Sequence, residues 1–479
     1  MTGYVYLVGA GPGDVSLMTV KSMQCLKRAD VLLLDHLVSP TCITQCREDV
    51  IIHDVGKQRG KHSTTQDEIN EMMMMYARDG KCVVRLKGGD PFIFGRIGEE
   101  IECLVEAGIP FEVLPGVSSA IAGPGYAGIP LTHRNQSRSV AFVTGTLKRG
   151  EVPIELPKAD TLVFLMALAH CDEITSELIK RGLFSKDTAA AIISKATCAS
   201  QEDVYGTLDS ISQQSESIET PALLVVGDVV NMADRFSWRD HRPLSGKRVV
   251  VLRPRHQGKE WVETLSILGA EVLHMPLMKI LSLKEGVASI TSEVISSTTL
   301  LVLTSANAVE HFFEAMKGAG IDSRRLSNAK IAVVGELTAS SVRKRGIFPD
   351  YIPKIPSLKG LMEEFPDIFM NQTCLWPTSL IADDRLEVLC REESCDLRRV
   401  NIYEPKRIEK VYGEVMDGDI VIFSSPSIVN YFCESGLGEE KDIKVCVLGK
   451  TTYQRCVEKG FKNVVILENA DVSDIVNHL

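Results

Sequence analysis

Short apolar runs rich in β-branched residues recur along the chain at Val5–Val8, Val31–Leu34, Val83–Leu86 and Val140–Thr144. Segments with helical spacing of apolar residues and glycine-rich turns lie between them, an alternation that predicts an α/β fold. The series ends near Leu223–Val230, and RFSWRDHRPLSGK (Arg235 to Lys247) follows as a polar stretch broken by Pro243 and Gly246. A fresh strand, RVVVL from Arg248 to Leu252, restarts the pattern. The expected organisation is therefore one module over residues 1–240, a linker over 241–246 and a second module over 247–479.

The second module carries an internal echo. LVLTSANAVEHFF (Leu301 to Phe313) resembles VIFSSPSIVNYFC (Val421 to Cys433), both reading as strand, serine turn and helix. IAVVGELTASSVRKRG (Ile331 to Gly346) likewise matches VCVLGKTTYQRCVEKG (Val445 to Gly460), with a Gly-x-x-Thr turn at the same place. Two similar α/β lobes follow, and the serine and threonine turns should sit beyond strand carboxyl ends, facing one shared cleft.

At 479 residues the chain is long enough for more than two compact units. Hydrophobic residues make up 44% and charged residues 24%, ordinary for a globular protein, and no apolar run approaches the ~20 residues that cross a bilayer. The start MTGYVYLVGAGPGD has no basic leader or small-residue cleavage site, so a cytoplasmic protein without membrane association is expected. A net charge of -10 disfavours nucleic-acid binding, and an anionic substrate would need locally gathered cations. The 13 cysteines lack C-x-x-C spacing and read as reduced, mostly structural thiols, with no metal site.

Three glycine-rich segments carry candidate chemistry. GAGPGD (Gly9 to Asp14) follows the first strand and lets backbone approach a ligand, but a dinucleotide fingerprint would need glycine where Asp14 stands, and a carboxylate there opposes a pyrophosphate. A nicotinamide-dependent oxidoreductase is thus the weaker alternative, and a cofactor bearing positive charge fits better. VVRLKGGDPFIFGR (Val83 to Arg96) ends a strand in two glycines and an acid. PGVSSAIAGPGYAGIPLTHR (Pro115 to Arg134) combines a glycine turn, paired serines and a short helix with His133 and Arg134.

At these residues the chain resembles the uroporphyrinogen-III C-methyltransferases, members of the tetrapyrrole methylases that use S-adenosylmethionine. The resemblance runs from about Gly3 to Trp238 and includes DHLVS from Asp35, VGKQRGKHSTTQDEIN from Val55, TLVFLMAL from Thr161 and ETPALLVVGDVV from Glu219. It implies a two-lobed methylase fold with S-adenosylmethionine, and its product S-adenosylhomocysteine, contacted by Pro12, Gly88, Gly89, Asp90, Ile93, Ser118, Ser119, Met166 and Ala196. Ala196 stands where the family has glycine, and His36 where it usually has arginine. Asp35 corresponds to the family's proton acceptor and Lys57 to its proton donor. Methyl transfer to a pyrrole carbon needs positioning and removal of a proton, with no metal. For the carboxylates of uroporphyrinogen III the cations at hand are Arg85, Lys87, Arg96, His133 and Arg134, with Lys57, Arg59, Lys61, His62 and Arg138 nearby in sequence. The family is commonly dimeric, so a homodimer is expected.

From Gly246 to Leu479 the chain looks like uroporphyrinogen-III synthase, on the strength of RPR at Arg253, TSANAV from Thr304, VVGELTA from Val333, VNIYEP from Val400, FSSPS from Phe423 and LGKTT from Leu448. That family has two flavodoxin-like α/β lobes and closes linear hydroxymethylbilane with loss of water and inversion of one ring. Tyr403 matches the tyrosine suggested to assist the leaving hydroxyl, and Ser305, Thr338, Ser425 and Thr452 lie where hydroxyls could bind substrate carboxylates. Lys450 adds a positive charge. A non-catalytic tetrapyrrole-binding module is the alternative for this half.

Overall fold

The computed structural model describes residues 3–56, 64–146, 156–393, 395–467 and 471–478. They form two compact units, Met1–Pro276 with Lys410–Leu479, and Leu277–Glu409. The chain leaves the first unit once and returns once, within the half that carries the internal echo.

The first unit contains three sheets. Strands β1 (Tyr4–Gly9), β2 (Val31–Leu34), β3 (Ile51–Asp54), β4 (Cys82–Lys87) and β5 (Phe111–Leu114) form a parallel sheet in the order β3-β2-β4-β1-β5. Alternate residues of β1 point to opposite faces, Val8 into one apolar cluster and Val5 and Leu7 into another, so this strand is buried on both sides. The helices Gln66–Arg78 and Ile97–Glu106 cover one face. The former starts in a capping box made by Thr65 and Glu68, and the latter carries Glu99 and Glu100 in its first turn, where carboxylates suit the helix dipole.

A mixed sheet follows, β6 (Val140–Thr144), β7 (Thr161–Leu165), β8 (Ala189–Ser194), β9 (Glu202–Thr207) and β10 (Ala222–Val226) in the order β6-β7-β10-β8-β9. The third sheet is parallel, β11 (Arg248–Val251), β12 (Glu271–His274), β18 (Ile420–Phe423), β19 (Lys444–Val447) and β20 (Val464–Ile466), ordered β12-β11-β18-β19-β20. The second unit holds β13 (Met278–Ser282), β14 (Leu300–Leu303), β15 (Lys330–Val333), β16 (Thr373–Ser379) and β17 (Asp396–Arg407), ordered β13-β17-β16-β14-β15, with β13 antiparallel. The fold is α/β throughout, and among the described residues no helix is long and apolar enough to cross a membrane.

The echo is reproduced in backbone geometry. Ser305, before the helix Ala306–Gly318, has φ -161 and ψ 158, and Ser425, before the helix Pro426–Glu434, has φ -159 and ψ 157. Gly335 and Gly449 are both extended ahead of the helices Glu336–Arg343 and Lys450–Glu458.

Edge strand β12 does not face water freely. The buried hydroxyl of Thr41, in the short helix Pro40–Gln45, donates to the Val272 carbonyl at 2.8 Å and accepts the His274 amide at 3.0 Å. Arg255 adds bonds to the carbonyls of Cys46 and Arg47. The residues before and after the polar stretch are thereby joined within one unit, and an exposed ladder edge is covered. Thr41→Val leaves a buried carbonyl and amide unpaired, so it should lower stability by about 1–3 kcal/mol. Urea denaturation of the full chain measures this, with the His274 amide exchanging faster.

Candidate functional site

The loops leaving β4, β1 and β5, three neighbouring parallel strands, meet beyond their carboxyl ends. Gly11 and Gly89 form a bridge, with the Gly89 amide donating to Gly11 at 2.7 Å. A Cβ on Gly9 would lie 2.6 Å from Gly116 Cα and 2.7 Å from the Gly89 carbonyl oxygen. No side chain fits between these loops, so backbone lines this end of the sheet. Asp90 locks the arrangement, its carboxylate accepting the Phe92 amide at 2.8 Å and the Gly116 amide at 3.0 Å.

The remaining residues expected around the donor gather on the same unit. Pro12, Gly88, Ile93 and Ser119 are half-buried. Ser118 is buried and caps the helix Ser119–Tyr126, its hydroxyl accepting the Ala120 amide. Ala196 is buried, and its Cβ would be 3.2 Å from a Cβ built on Gly123, while its carbonyl and Thr197 adjoin Gly13. The Thr197 hydroxyl accepts the Asp14 amide at 3.0 Å, which fastens the first glycine loop to the second sheet. Asp14 itself accepts from Ser16 and from the Tyr126 hydroxyl, so its carboxylate serves the loop. Burial, then the Asp14 charge, pushes the Tyr126 phenol up.

Left-handed backbone at residues other than glycine concentrates here: Phe94 (φ 54), Arg96 (φ 53), Met166 (φ 58), Lys195 (φ 45) and Thr197 (φ 70). Strain of this kind persists only where surrounding contacts impose it, and it clusters at functional sites. Phe92 and Phe94 after β4, Leu37 after β2 and Met166 after β7 expose apolar side chains. The sequence reading missed Leu37, Phe92 and Phe94; the exposed positions were not separable from core within an apolar stretch.

Asp35 follows β2, with its carboxylate accepting the His36 amide at 2.9 Å and lying 3.9 Å from Arg85 Nη2. Arg85 and Lys87 were expected to meet substrate carboxylates, but they are 3% and 5% exposed, on β4 in the middle of the sheet. Their partner is Glu100, also buried, 2.7 Å from Lys87 Nζ and 3.4 Å from Arg85 Nε. Burial, then the neighbouring Arg85 charge, lowers the Lys87 ammonium from its ordinary range. Arg96 is exposed and pairs with Glu99 through Nε and Nη2 at 2.9 and 2.8 Å. His133 bridges to Ser137, with Arg134 exposed beside it. Lys57, with Arg59, Lys61 and His62, lies outside the described residues.

In the second unit Tyr403 sits on β17, 7% exposed, its hydroxyl 2.9 Å from Ser305 Oγ. Its ring stacks on His311 at 5.4 Å between centroids and 16° between planes, and His311 Nδ1 lies 2.8 Å from Ser282 Oγ. Ser282 and Ser379 are the cross-strand neighbours of Tyr403, the latter at an irregularity in the β16–β17 ladder. Burial raises the Tyr403 phenol above its ordinary value, against the lowering effect of hydrogen bonds from Ser305 and Ser379. His311, Ser282 and Ser379 went unnoticed in the sequence, although His311 falls opposite Tyr431 in the internal echo.

Ser305 and Thr338 follow adjacent strands β14 and β15 of the second unit, and Ser425 and Thr452 follow adjacent strands β18 and β19 of the first. Both serines are half-buried, whereas Thr338 and Thr452 are buried in the first turns of their helices, packed inward instead of offered at the surface. Lys450 is exposed.

Residues 4–212 match the family described as Tetrapyrrole (Corrin/Porphyrin) Methylases, and residues 259–477 match that described as Uroporphyrinogen-III synthase HemD. The porphyrin biosynthesis protein HemD of Ruminiclostridium josui is 34% identical over 494 residues, covering 100% of this chain and 97% of that protein. The siroheme synthase of Pseudomonas putida is 47% identical over 244 residues, covering 49% of this chain and 52% of that protein, about half its length. Among solved structures, the uroporphyrin-III-C-methyltransferase of Thermus thermophilus is 38% identical, covers 49% of this chain and 98% of its own, and has a TM-score of 0.43. With a relative matched over 97% of its length and both halves assigned, the chain belongs to the family of porphyrin-biosynthesis proteins that join a tetrapyrrole methylase to a uroporphyrinogen-III synthase.

Proposed function

We propose that this chain cyclises hydroxymethylbilane to uroporphyrinogen III and methylates that product twice to precorrin-2, with residues 1–240 and 247–479 as the two catalytic modules. The observation that carries the methylase half is the convergence of Gly9, Gly89 and Gly116 beyond the strand ends, in a sheet that also presents Asp35. Loops packed this closely through glycine present backbone at the strand ends, which suits a flat nucleoside held by backbone groups, and Asp14 argues against a dinucleotide. S-adenosylmethionine, when bound there, supplies an electrophilic methyl group on sulfur and leaves as S-adenosylhomocysteine.

The chain's own residues position and deprotonate. When the new carbon–carbon bond forms, the substituted pyrrole carbon must lose a proton; Asp35 is the proposed acceptor, a reading supported by its carboxylate at the end of β2. Lys57 is the proposed proton donor. The exposed Arg96 and Arg134, with His133, bind the acid side chains of the macrocycle, and Phe92, Phe94 and Met166 offer it apolar surface. Arg85 and Lys87 act from behind Asp35.

In the synthase half Tyr403 is the proton donor to the departing hydroxyl, which leaves as water. Burial favours the protonated phenol that this role needs. Ser305 orients the phenol, and the half-buried Ser425 and the exposed Lys450 serve substrate carboxylates, whereas the buried Thr338 and Thr452 are left to their helix turns. A homodimer through the methylase half fits the family.

The full chain supplied with hydroxymethylbilane and S-adenosylmethionine should form precorrin-2 with S-adenosylhomocysteine in step. Uroporphyrin I alone would overturn the synthase assignment and favour a non-catalytic binding module. Uroporphyrin III without S-adenosylhomocysteine would overturn the methylase assignment.

A further inference from the structure

Two cations and a carboxylate stand in the apolar layer beneath the methylase site. Arg85 and Lys87 project from β4 on the same side as Val83, which packs with Ile69, Met73, Ile97 and Leu104 from the covering helices. Arg, Lys and Glu are almost never fully buried unless paired, and apolar residues of similar volume would stabilise such a layer at least as well. Stability alone therefore does not account for the cluster, and groups arranged in this way are candidates for function.

The hydrogen-bond geometry gives the cluster a direction. One oxygen of Glu100, Oε1, gathers Lys87 Nζ at 2.7 Å, Gln66 Nε2 at 3.2 Å and Arg85 Nε at 3.4 Å. The guanidinium spreads from there: Nη1 donates to the carbonyls of Leu86 at 3.3 Å and Leu33 at 3.5 Å, and Nη2 points to Asp35 at 3.9 Å. Asp35 is held on the same strand ends, its amide donating to the Leu86 carbonyl at 3.1 Å. Glu99, one residue earlier, faces outward to Arg96 and takes no part.

Resting on the methylase reading above, we propose that Glu100 is a positioning residue for methylation: it fixes the buried Arg85 fork, which in turn sets the orientation and charge balance of the Asp35 carboxylate. The four groups sum to neutrality, Arg85 and Lys87 against Glu100 and Asp35. Without the Glu100 charge the Arg85 fork loses its anchor, and its contact to the Asp35 carboxylate is no longer fixed.

Glu100→Gln tests this in the full chain. The second carboxylate oxygen, Oε2, has no hydrogen-bond partner among the described residues, so a glutamine can keep its carbonyl at the Oε1 position and place its amide where nothing is displaced. The expected result is a fall in methylation kcat of about ten- to a hundredfold. Calorimetric affinity for S-adenosylhomocysteine should change less than about twofold, and Glu100→Asp should recover part of the rate. In an Asp35→Asn background Glu100→Gln should cost almost nothing more, because a residue that acts through Asp35 has nothing left to act on. An additive loss in that background, a fall in S-adenosylhomocysteine affinity in proportion to kcat, or an unchanged kcat would each overturn the proposal. If Glu100→Gln does not accumulate as folded protein, Arg85→Lys applies the same criteria, since one ammonium keeps the buried charge but cannot reach both carboxylates. Full methylation by Asp35→Asn alone would instead remove the role of Asp35 itself.

Discussion

Asp35→Asn is expected to lower methylation by on the order of 10²- to 10⁴-fold while leaving ring closure at its native rate. The substitution is close to isosteric, and the amide oxygen of asparagine can still accept the His36 amide that Asp35 Oδ1 accepts at 2.9 Å. What it removes is the carboxylate proposed to take a proton from the substituted pyrrole carbon. Tyr403 belongs to the other compact unit, where its hydroxyl pairs with Ser305, so the synthase reaction is expected to continue. Parallel assays settle the matter: uroporphyrinogen III formation from hydroxymethylbilane, and S-adenosylhomocysteine release when uroporphyrinogen III is supplied. Equal loss of both activities would show that the two sites are not separate.

Gly9→Ala should be nearly as damaging, by a different route. The added methyl would press against Gly116 Cα and the Gly89 carbonyl, both backbone, at 2.6 and 2.7 Å. Neither neighbour can rotate away, so the loops after β4 and β5 must part. Overpacking of this kind costs about 1–3 kcal/mol of stability. Affinity for S-adenosylhomocysteine should fall about a hundredfold, equivalent to about 2.7 kcal/mol. Gly98→Ala is the control, because a Cβ there meets nothing within 4 Å and the position is an exposed helical one. It should bind as the native chain does and gain about 0.5–1 kcal/mol. Calorimetry on the two variants reads out the difference, and native affinity in Gly9→Ala would place the donor elsewhere.

Both effects trace to residues that were legible in the sequence. Glycine at three strand ends reads either as a tight turn or as close approach of backbone, and GAGPGD, KGGD and PGVSS marked these places in the sequence. The echo was equally legible, because Ser305 and Ser425 occupy the same place in strand, turn and helix and adopt nearly the same dihedrals. Patterns confined to one element, a strand of four to six residues with its following turn, survive in sequence because local sterics decide them.

Arg85 and Lys87 were expected to bind substrate carboxylates, and their burial, which the sequence does not reveal, has a topological reason. VVRLK looks like a strand running out into a polar loop, but β4 has β2 on one side and β1 on the other and is covered by helices. A position is buried or exposed by what packs on it, which a strand does not encode. Glu100 was invisible for the same cause: in EE, one carboxylate faces Arg96 and the other Lys87, and only the helix's docking angle assigns which. His311 met Tyr403 through a pairing of distant segments that no local spacing reveals.

By itself the sequence determined the α/β class, the repeated lobe and the glycine turns, since each depends on steric rules acting within a few residues. Tertiary structure alone decided which charges are buried, which hydroxyls are packed inward at Thr338 and Thr452, and that Thr41 closes the β12 edge. Those outcomes depend on desolvation and on partners distant in the chain, and a charge or hydroxyl has no fixed role until its neighbours are in place.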